Sequence, residues 1–387
     1  MKNAFLGTTA LVAASFLATN ATAAEWDISM GGYFNGSVSA TSIDDDFGQD
    51  PNEIDFATDS VIEFQPSITL DNGLTFGARI EIEPEQNSDV NDDADLIDEV
   101  WVYARGGFGE VQVGQTDSVG RRLSVAIPNI VGHSVNGNDE GAMDPFASYD
   151  VYTGLQWTSL RNRINTDLGF TDDAIRINYI SPSMNGFRAG ASYTPNPGKN
   201  DTGYGDYVQQ EFGRDYFEFA GRLDWEINNV LFLLFGGVGI GDRGDSRNEP
   251  FEWSIGSSLQ FGGLKLYGTY TEHDTEYEYY NGDLFNGTVE QWTLASQYNT
   301  GPWRFDLQTG QNDGDNHVRD SYSWGDYRVE DQYDSYMGGL TYEVGPGFEV
   351  GGGVRVIQFD NDTHGEFVDN RFSTDASSVF IGSRLSF

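Results

Sequence analysis

The chain has 387 residues, with 61 Asp and Glu against 21 Lys and Arg, a formal charge of -40, no cysteine and a hydrophobic fraction of only 38%. That charge repels phosphate backbones with no local Lys/Arg cluster to offset it, which excludes nucleic acid as a partner; the missing cysteines exclude disulfide frameworks, thiol catalysis and Cys-zinc sites. Disorder is excluded as well, because 26 Phe, 20 Tyr and 8 Trp are more aromatic surface than a disordered chain carries.

Lys2, a mostly small and apolar run from Ala4 to Thr19, and Ala21-Thr22-Ala23-Ala24 read as a secretory signal peptide over residues 1–23, cleaved after Ala23 or Ala24. The run is too short, and too soon followed by Glu25, to be a membrane-spanning helix. No later stretch approaches the roughly 18 apolar residues of such a helix. Residues 24–387 read as a single domain.

From Trp26 the hydrophobic period is two. Trp26, Ile28, Met30, Phe34 and Val38 alternate with Asp27, Ser29, Tyr33, Asn35 and Ser39. The same alternation recurs at Ile62–Leu70, Leu74–Ile82, Phe217–Trp225, Phe251–Phe261 and Trp303–Leu307, and the chain closes on Val379, Ile381, Leu385 and Phe387. Seven short turns separate the strands in pairs: 71–73, 106–109, 181–186, 227–229, 262–263, 300–302 and 345–347. The connections between them (44–55, 85–95, 196–215, 241–249, 272–290, 311–331, 360–375) are longer and carry most of the acid, and one, about 116–173, is longer still. Seven hairpins plus a strand at each terminus predict an all-β fold of about sixteen antiparallel strands. Short turns on one rim and long loops on the other are the arrangement of a transmembrane β-barrel. A soluble sandwich would not need rings near the strand ends, where Trp26, Trp225, Phe251, Phe261, Trp303, Phe348 and Phe387 sit as an interfacial girdle would place them. A propeller would show a repeat of roughly 40–50 residues, and none is present. Closure leaves no sheet edge unpaired in lipid.

Two internal stretches resemble a known family. Val100-Trp-Val-Tyr-Ala-Arg-Gly-Gly-Phe-Gly-Glu-Val-Gln-Val-Gly-Gln115 is similar to the fourth strand, turn and fifth strand of general bacterial porins, and Ala174–Tyr193 is similar to their sixth and seventh strands. The terminal Phe387 resembles the signal by which outer-membrane assembly machinery recognises barrels. The resemblance implies a sixteen-stranded homotrimeric barrel in the Gram-negative outer membrane, among its lipids and lipopolysaccharide, passing small hydrophilic solutes passively. It also implies that the loop at 116–173 folds inward and sets acids against basic residues on the facing wall. The acids offered are Asp117, Asp139, Glu140, Asp144 and Asp150. By strand parity the wall offers Arg79, Arg176, Arg188 and Arg222, with Arg304, Arg355 and Arg384 farther round and Arg121 and Arg122 on the loop itself. Two departures stand out. Tyr152–Phe170 has enough apolar content for an extra helix or hairpin, and the fourth strand opens Asp98-Glu99 where the family often has a basic wall residue, with its inward parity open between Val100/Val102 and Trp101/Tyr103.

Excess carboxylate predicts cation selectivity, screened over about 8 Å at physiological salt. The acidic runs Asp44-Asp45-Asp46 and Asp92-Asp93-Ala94-Asp95 are candidate Ca²⁺ ligands, beside the alternative of simple solvated loops. The EF-hand-like Asp360–Gly365 fails because its twelfth position is Arg371. No resident cofactor is expected. No catalytic spacing is present and the four histidines are scattered, so an enzyme is not expected; a barrel hydrolase is the remote alternative. A substrate-specific channel for sugars or amino acids is the closer one, because Tyr33, Tyr103, Tyr267 and Phe380 face the polar side by parity.

Overall fold

The computed structural model describes residues 25–45, 52–84, 97–136, 146, 150–152, 157–159, 164–168, 171, 174–197, 214–242, 249–278, 284–319, 326–365 and 369–387. The signal-peptide region lies outside them.

The strands are β1 (Trp26–Asp45), β2 (Asn52–Thr69), β3 (Thr75–Ile82), β4 (Ile97–Gly106) and β5 (Gly109–Gln115). A short helix, α1 (Val119–Leu123), and two short strands, β6 (Asp150–Tyr152) and β7 (Trp157–Ser159), follow in the long connection. Then come β8 (Ile175–Ile180), β9 (Phe187–Thr194), β10 (Arg214–Ile227), β11 (Val230–Asp242) and β12 (Phe251–Phe261). The chain ends with β13 (Leu264–Glu278), β14 (Leu284–Thr300), β15 (Trp303–Arg319), β16 (Asp326–Gly345), β17 (Phe348–Gly365) and β18 (Asp369–Ser386). All but β6 and β7, which pair with each other, form one closed antiparallel barrel in chain order with β18 returning to β1. That makes sixteen wall strands, the expected number, and each of the seven short turns falls between consecutive wall strands. Gly186 and Gly347 need to be glycine: their φ values are 88° and 74°, and a Cβ would lie 2.0 Å from Asp224 O and 2.2 Å from Ser386 O.

Closure rests on the termini. Gly32 and Phe387 exchange backbone hydrogen bonds at 3.2 and 3.1 Å, and the Phe387 ring stacks on Phe34 with centroids 5.9 Å apart. The outer face is apolar, with Ile28, Phe56, Leu307 and Ile381 all more than 60% exposed, as hydrocarbon-facing side chains must be. In β4 the parity resolves: Val100 and Val102 point out, while Glu99 and Trp101 are buried inside.

The structure corrects the expected loops at 272–290, 311–331 and 360–375. Most of these residues continue β13–β18 as paired strands, Glu272 opposite Glu290 and Asp313 opposite Gln332. Above the apolar belt the outward positions turn polar, as at Asp313, Asp360 and Asp375, while inward Thr271, Thr363 and Phe372 stay buried. The apolar half of the period-two signal therefore fades though the backbone ladder continues.

The apolar core lies inside the barrel, between the long connection and the inner wall. Val119, Leu123 and Val125 pack with Ala220 and Phe235; Ile130, Val131 and Val135 pack with Met337 and Phe380; Phe146 and Ile164 pack with a group including Tyr333 and Phe359.

Candidate functional site

These three clusters exist because the described residues between 116 and 171 lie in the lumen, and 116–136 cross it. Ser118 caps α1 by accepting from Arg121 N at 3.3 Å, as an N-terminal hydroxyl should. Val119 N donates to Ser192 Oγ on β9 at 2.8 Å, and Arg222 on β10 donates to Ser124 O at 3.1 Å. Across the lumen, Arg304 donates to Asn129 O at 2.8 Å, and Val135 N donates to Gln308 Oε1 at 3.1 Å. His133 then reaches β1 and β18: its Nε2 lies 3.0 Å from Ser37 Oγ and its ring stacks on Phe380 at 3.9 Å. The return leg is held where Ser254 and Thr271 hydroxyls donate to Thr166 O. A two-stranded ribbon, β6–β7, overlaps the start of the Tyr152–Phe170 stretch expected to form a helix or hairpin, and the helix lies earlier, at α1.

The start of this crossing is organised by Glu99, 3% exposed. Its Oε1 accepts from Thr116 Oγ1 at 2.9 Å, Asp117 N at 2.8 Å and Arg122 Nη2 at 2.9 Å. Its Oε2 accepts from Trp101 Nε1 at 3.1 Å and lies 3.4 Å from Arg79 Nε. Arg79 also meets Glu63 at 2.9 Å and Glu81. Arg122 lies over the Trp101 ring at 4.7 Å. A carboxylate in the apparent place of a basic wall residue thus ties the loop's own arginine to the wall.

Beneath the loop lies a cavity of about 610 Å³ lined by Arg79, Arg121, Arg122, Arg222 and Arg384, with Asp117 and Asp167. Of the expected acids, Asp117 is here and pairs with Arg121 at 3.1 Å. Burial pushes its carboxyl up, opposed by Arg121. Burial likewise raises the Asp167 carboxyl to about 6, against the pull of Arg121. Asp139, Glu140 and Asp144 lie outside the described residues, and Asp150 begins β6. Of the expected basic wall, Arg79 and Arg222 come together at the cavity. Arg188 and Arg222 instead share Asp224, at 3.3 and 2.9 Å. Arg176 does not line the cavity: its side chain is fully buried, 3.3 Å from Glu218, with Thr171 as a further acceptor. Parity placed it inside the barrel, but the loop covers it. The sequence reading missed Glu63, Glu81 and Asp167; the first two were visible only as polar positions of alternating strands.

Of the suggested cation ligands, Asp46, Asp92, Asp93 and Asp95 lie outside the described residues, and Asp44 is exposed on β1 opposite Asp375, with Asp45 next along. A different group, Glu81, Glu83 and Asp98, brings its carboxylate oxygens within 4.8 Å of one another and can in principle hold a cation such as Ca²⁺.

Residues 7–363 match the family described as Gram-negative porin. No curated protein matches the chain. Among solved structures, an anion-selective porin from Comamonas acidovorans is 17% identical and aligns over 94% of this chain and 100% of that one, with a TM-score of 0.57. The outer-membrane channel DcaP of Acinetobacter baumannii is 10% identical over 94% and 97%, with a TM-score of 0.59. Outer-membrane expressed OmpT of Vibrio cholerae is 12% identical over 96% and 99%, with a TM-score of 0.51. At these identities the likeness is one of fold. A closed sixteen-stranded barrel with a hydrocarbon-facing belt is an outer-membrane structure of Gram-negative bacteria.

Proposed function

Because the chain belongs to the Gram-negative porin family, we propose that this outer-membrane channel passes ions and small hydrophilic solutes by passive diffusion, with a bias toward cations. The observation that carries the reading is the pairing at the cavity. Arg79, Arg121, Arg122 and Arg222 each face carboxylates, so the narrow region is close to charge-balanced and the chain's net -40 is left to act at the acidic rim. An acidic mouth concentrates cations within a screening length of about 8 Å. Reversal potentials in planar bilayers under a KCl gradient test this, and a potential of anionic sign would sink the bias.

The specific-sugar alternative finds little support. A sugar slide needs a row of open aromatic faces, but Arg384 covers Tyr33 at 4.1 Å, Arg105 covers Tyr103 at 5.1 Å and His133 covers Phe380, so of the four rings only Tyr267 lines the cavity. The enzyme alternative has no catalytic motif behind it, so we read the protein as non-enzymatic. Homotrimerisation, which the family resemblance implies, is favoured by a low wall sector. Strands β3, β5, β8 and β9 have 8, 7, 6 and 8 residues, against 20 in β1 and β16. Eight tilted residues reach roughly 19 Å, short of the apolar band of roughly 25 Å, and their outward residues are aliphatic and aromatic, among them Phe76, Val113, Ile177 and Phe187. A neighbouring copy covers such a sector better than lipid. Sedimentation in detergent that returns only monomer would remove this part of the reading.

A further inference from the structure

Four of the five cavity arginines are compensated by carboxylates; Arg384 is different. Its cross-strand neighbour Glu349 turns to Arg304 at 3.3 Å, and its neighbour on the other side, Asn35, turns to Asp59 at 3.0 Å. Among the described residues, no carboxylate lies within ion-pair distance of Arg384. Its Nε donates to Ser386 Oγ at 3.4 Å, and Nη1 is buried without an acceptor. The guanidinium carbon sits 4.1 Å from the centroid of the Tyr33 ring, so one face is backed by an aromatic plane while the side chain lines the cavity. A buried charged donor left unmade is costly, so a solute that brings an acceptor to it gains binding energy.

We propose that Arg384, backed by Tyr33, is a transient binding subsite for small carboxylate-bearing solutes crossing the pore; this rests on the diffusion-channel reading above. A guanidinium offers its donors in one plane, which matches the two oxygens of a carboxylate bidentately. The same fork also takes two oxygens of a phosphate, so inorganic phosphate is the comparison that separates a carboxylate subsite from a general anion contact. The Tyr33 face holds the guanidinium flat and restricts its rotamers, so less order is lost on binding. Arg384 is also three positions from Phe387, near the short-turn rim and away from the acidic loops. Carboxylates therefore reach it more readily from that side.

The test is single-channel recording of the full-length protein in KCl with succinate added to one side or the other. A saturable drop in current is expected, at lower succinate from the short-turn side, and neutral dimethyl succinate should leave the current unchanged. Arg384→Gln should raise the half-block concentration about ten- to hundredfold and Arg384→Lys by less, since a charge-assisted bidentate contact is lost or halved. Assembly of each variant is checked by its heat-modifiable mobility, and if Arg384→Gln fails to assemble, Arg384→Lys and the succinate-ester comparison carry the test. Unchanged block in the variants, equal block by the ester, or equal block by inorganic phosphate at the same concentration overturns the subsite. A wild type that conducts KCl but ignores succinate also overturns it while leaving the channel reading standing. A wild type that conducts nothing removes the channel reading itself.

Discussion

Replacing Glu99 by Gln is the sharpest perturbation of the loop's attachment. One carboxylate there accepts from Thr116, the Asp117 backbone, Arg122 and Trp101 and lies beside Arg79, all within 3.4 Å. Gln preserves the volume and one acceptor but removes the charge, leaving Arg122 without its carboxylate partner. Breaking one side of a buried ion pair costs about 3–5 kcal/mol, because the remaining charge stays desolvated. Glu99 is not the only tether of the crossing, so the loss is expected mainly at the first leg, residues 116–122. At about 3 kcal/mol the undocked population of that leg rises more than a hundredfold, taking about 1.4 kcal/mol per tenfold. The assay is open-channel noise and reversal potential in planar bilayers. Glu99→Gln should raise the noise and shift the reversal potential toward anions, since a negative charge has left the lumen. Glu63→Gln is the control, because Arg79 retains Glu81 and Glu99. If Glu99→Gln matches wild type in both readouts, the loop is not held by this carboxylate and the reasoning fails.

The Asp167 carboxyl, raised to about 6 from 3.8, binds its proton more tightly when the loop is docked, so docking weakens as pH rises through the interval between those values. Acidification from pH 7 to pH 4 should therefore tighten the return leg by roughly 2 kcal/mol, seen as quieter current, and Asp167→Asn should flatten that dependence. Deleting Phe387 removes two hydrogen bonds to Gly32 together with the stack on Phe34, whereas Phe387→Ala removes only the ring, worth about 0.5–1.5 kcal/mol beyond its area. The deletion should lower the heat-modification temperature more than the substitution does; equal shifts would show that the backbone contacts add nothing to closure.

The wall was legible in the sequence because lipid on one side and water on the other force a period of two, and because Gly and Asn mark the short turns. The strand tops above the belt were not legible, since Glu272, Asp313 and Asp360 stand at outward positions that carry acid there instead of apolar side chains, although inward Thr271 and Thr363 remain buried. The cavity was legible in part. Parity places Arg79 and Arg222 inside, but it cannot tell an open lumen from one covered by loop, so Arg176 looked equivalent. Glu99 was hidden for another reason. Trp101 and Tyr103 on one face of β4 and Val100 and Val102 on the other are equally apolar, and only the inner packing of Trp101 against Arg122 breaks the tie. His133 gave no signal, because a lone loop histidine becomes a contact only once the loop's path is known.

The docking points of the crossing segment also bear on mechanics. Val119 and Ser124 hold it to β9 and β10, while His133 holds it to β1 and β18, and β10 and β18 lie eight places apart round a ring of sixteen strands. A tube whose wall is a single sheet resists stretching along its ladder but flattens easily into an ellipse. A spoke tied across the diameter opposes that soft deformation, so the segment that narrows the bore also keeps it round.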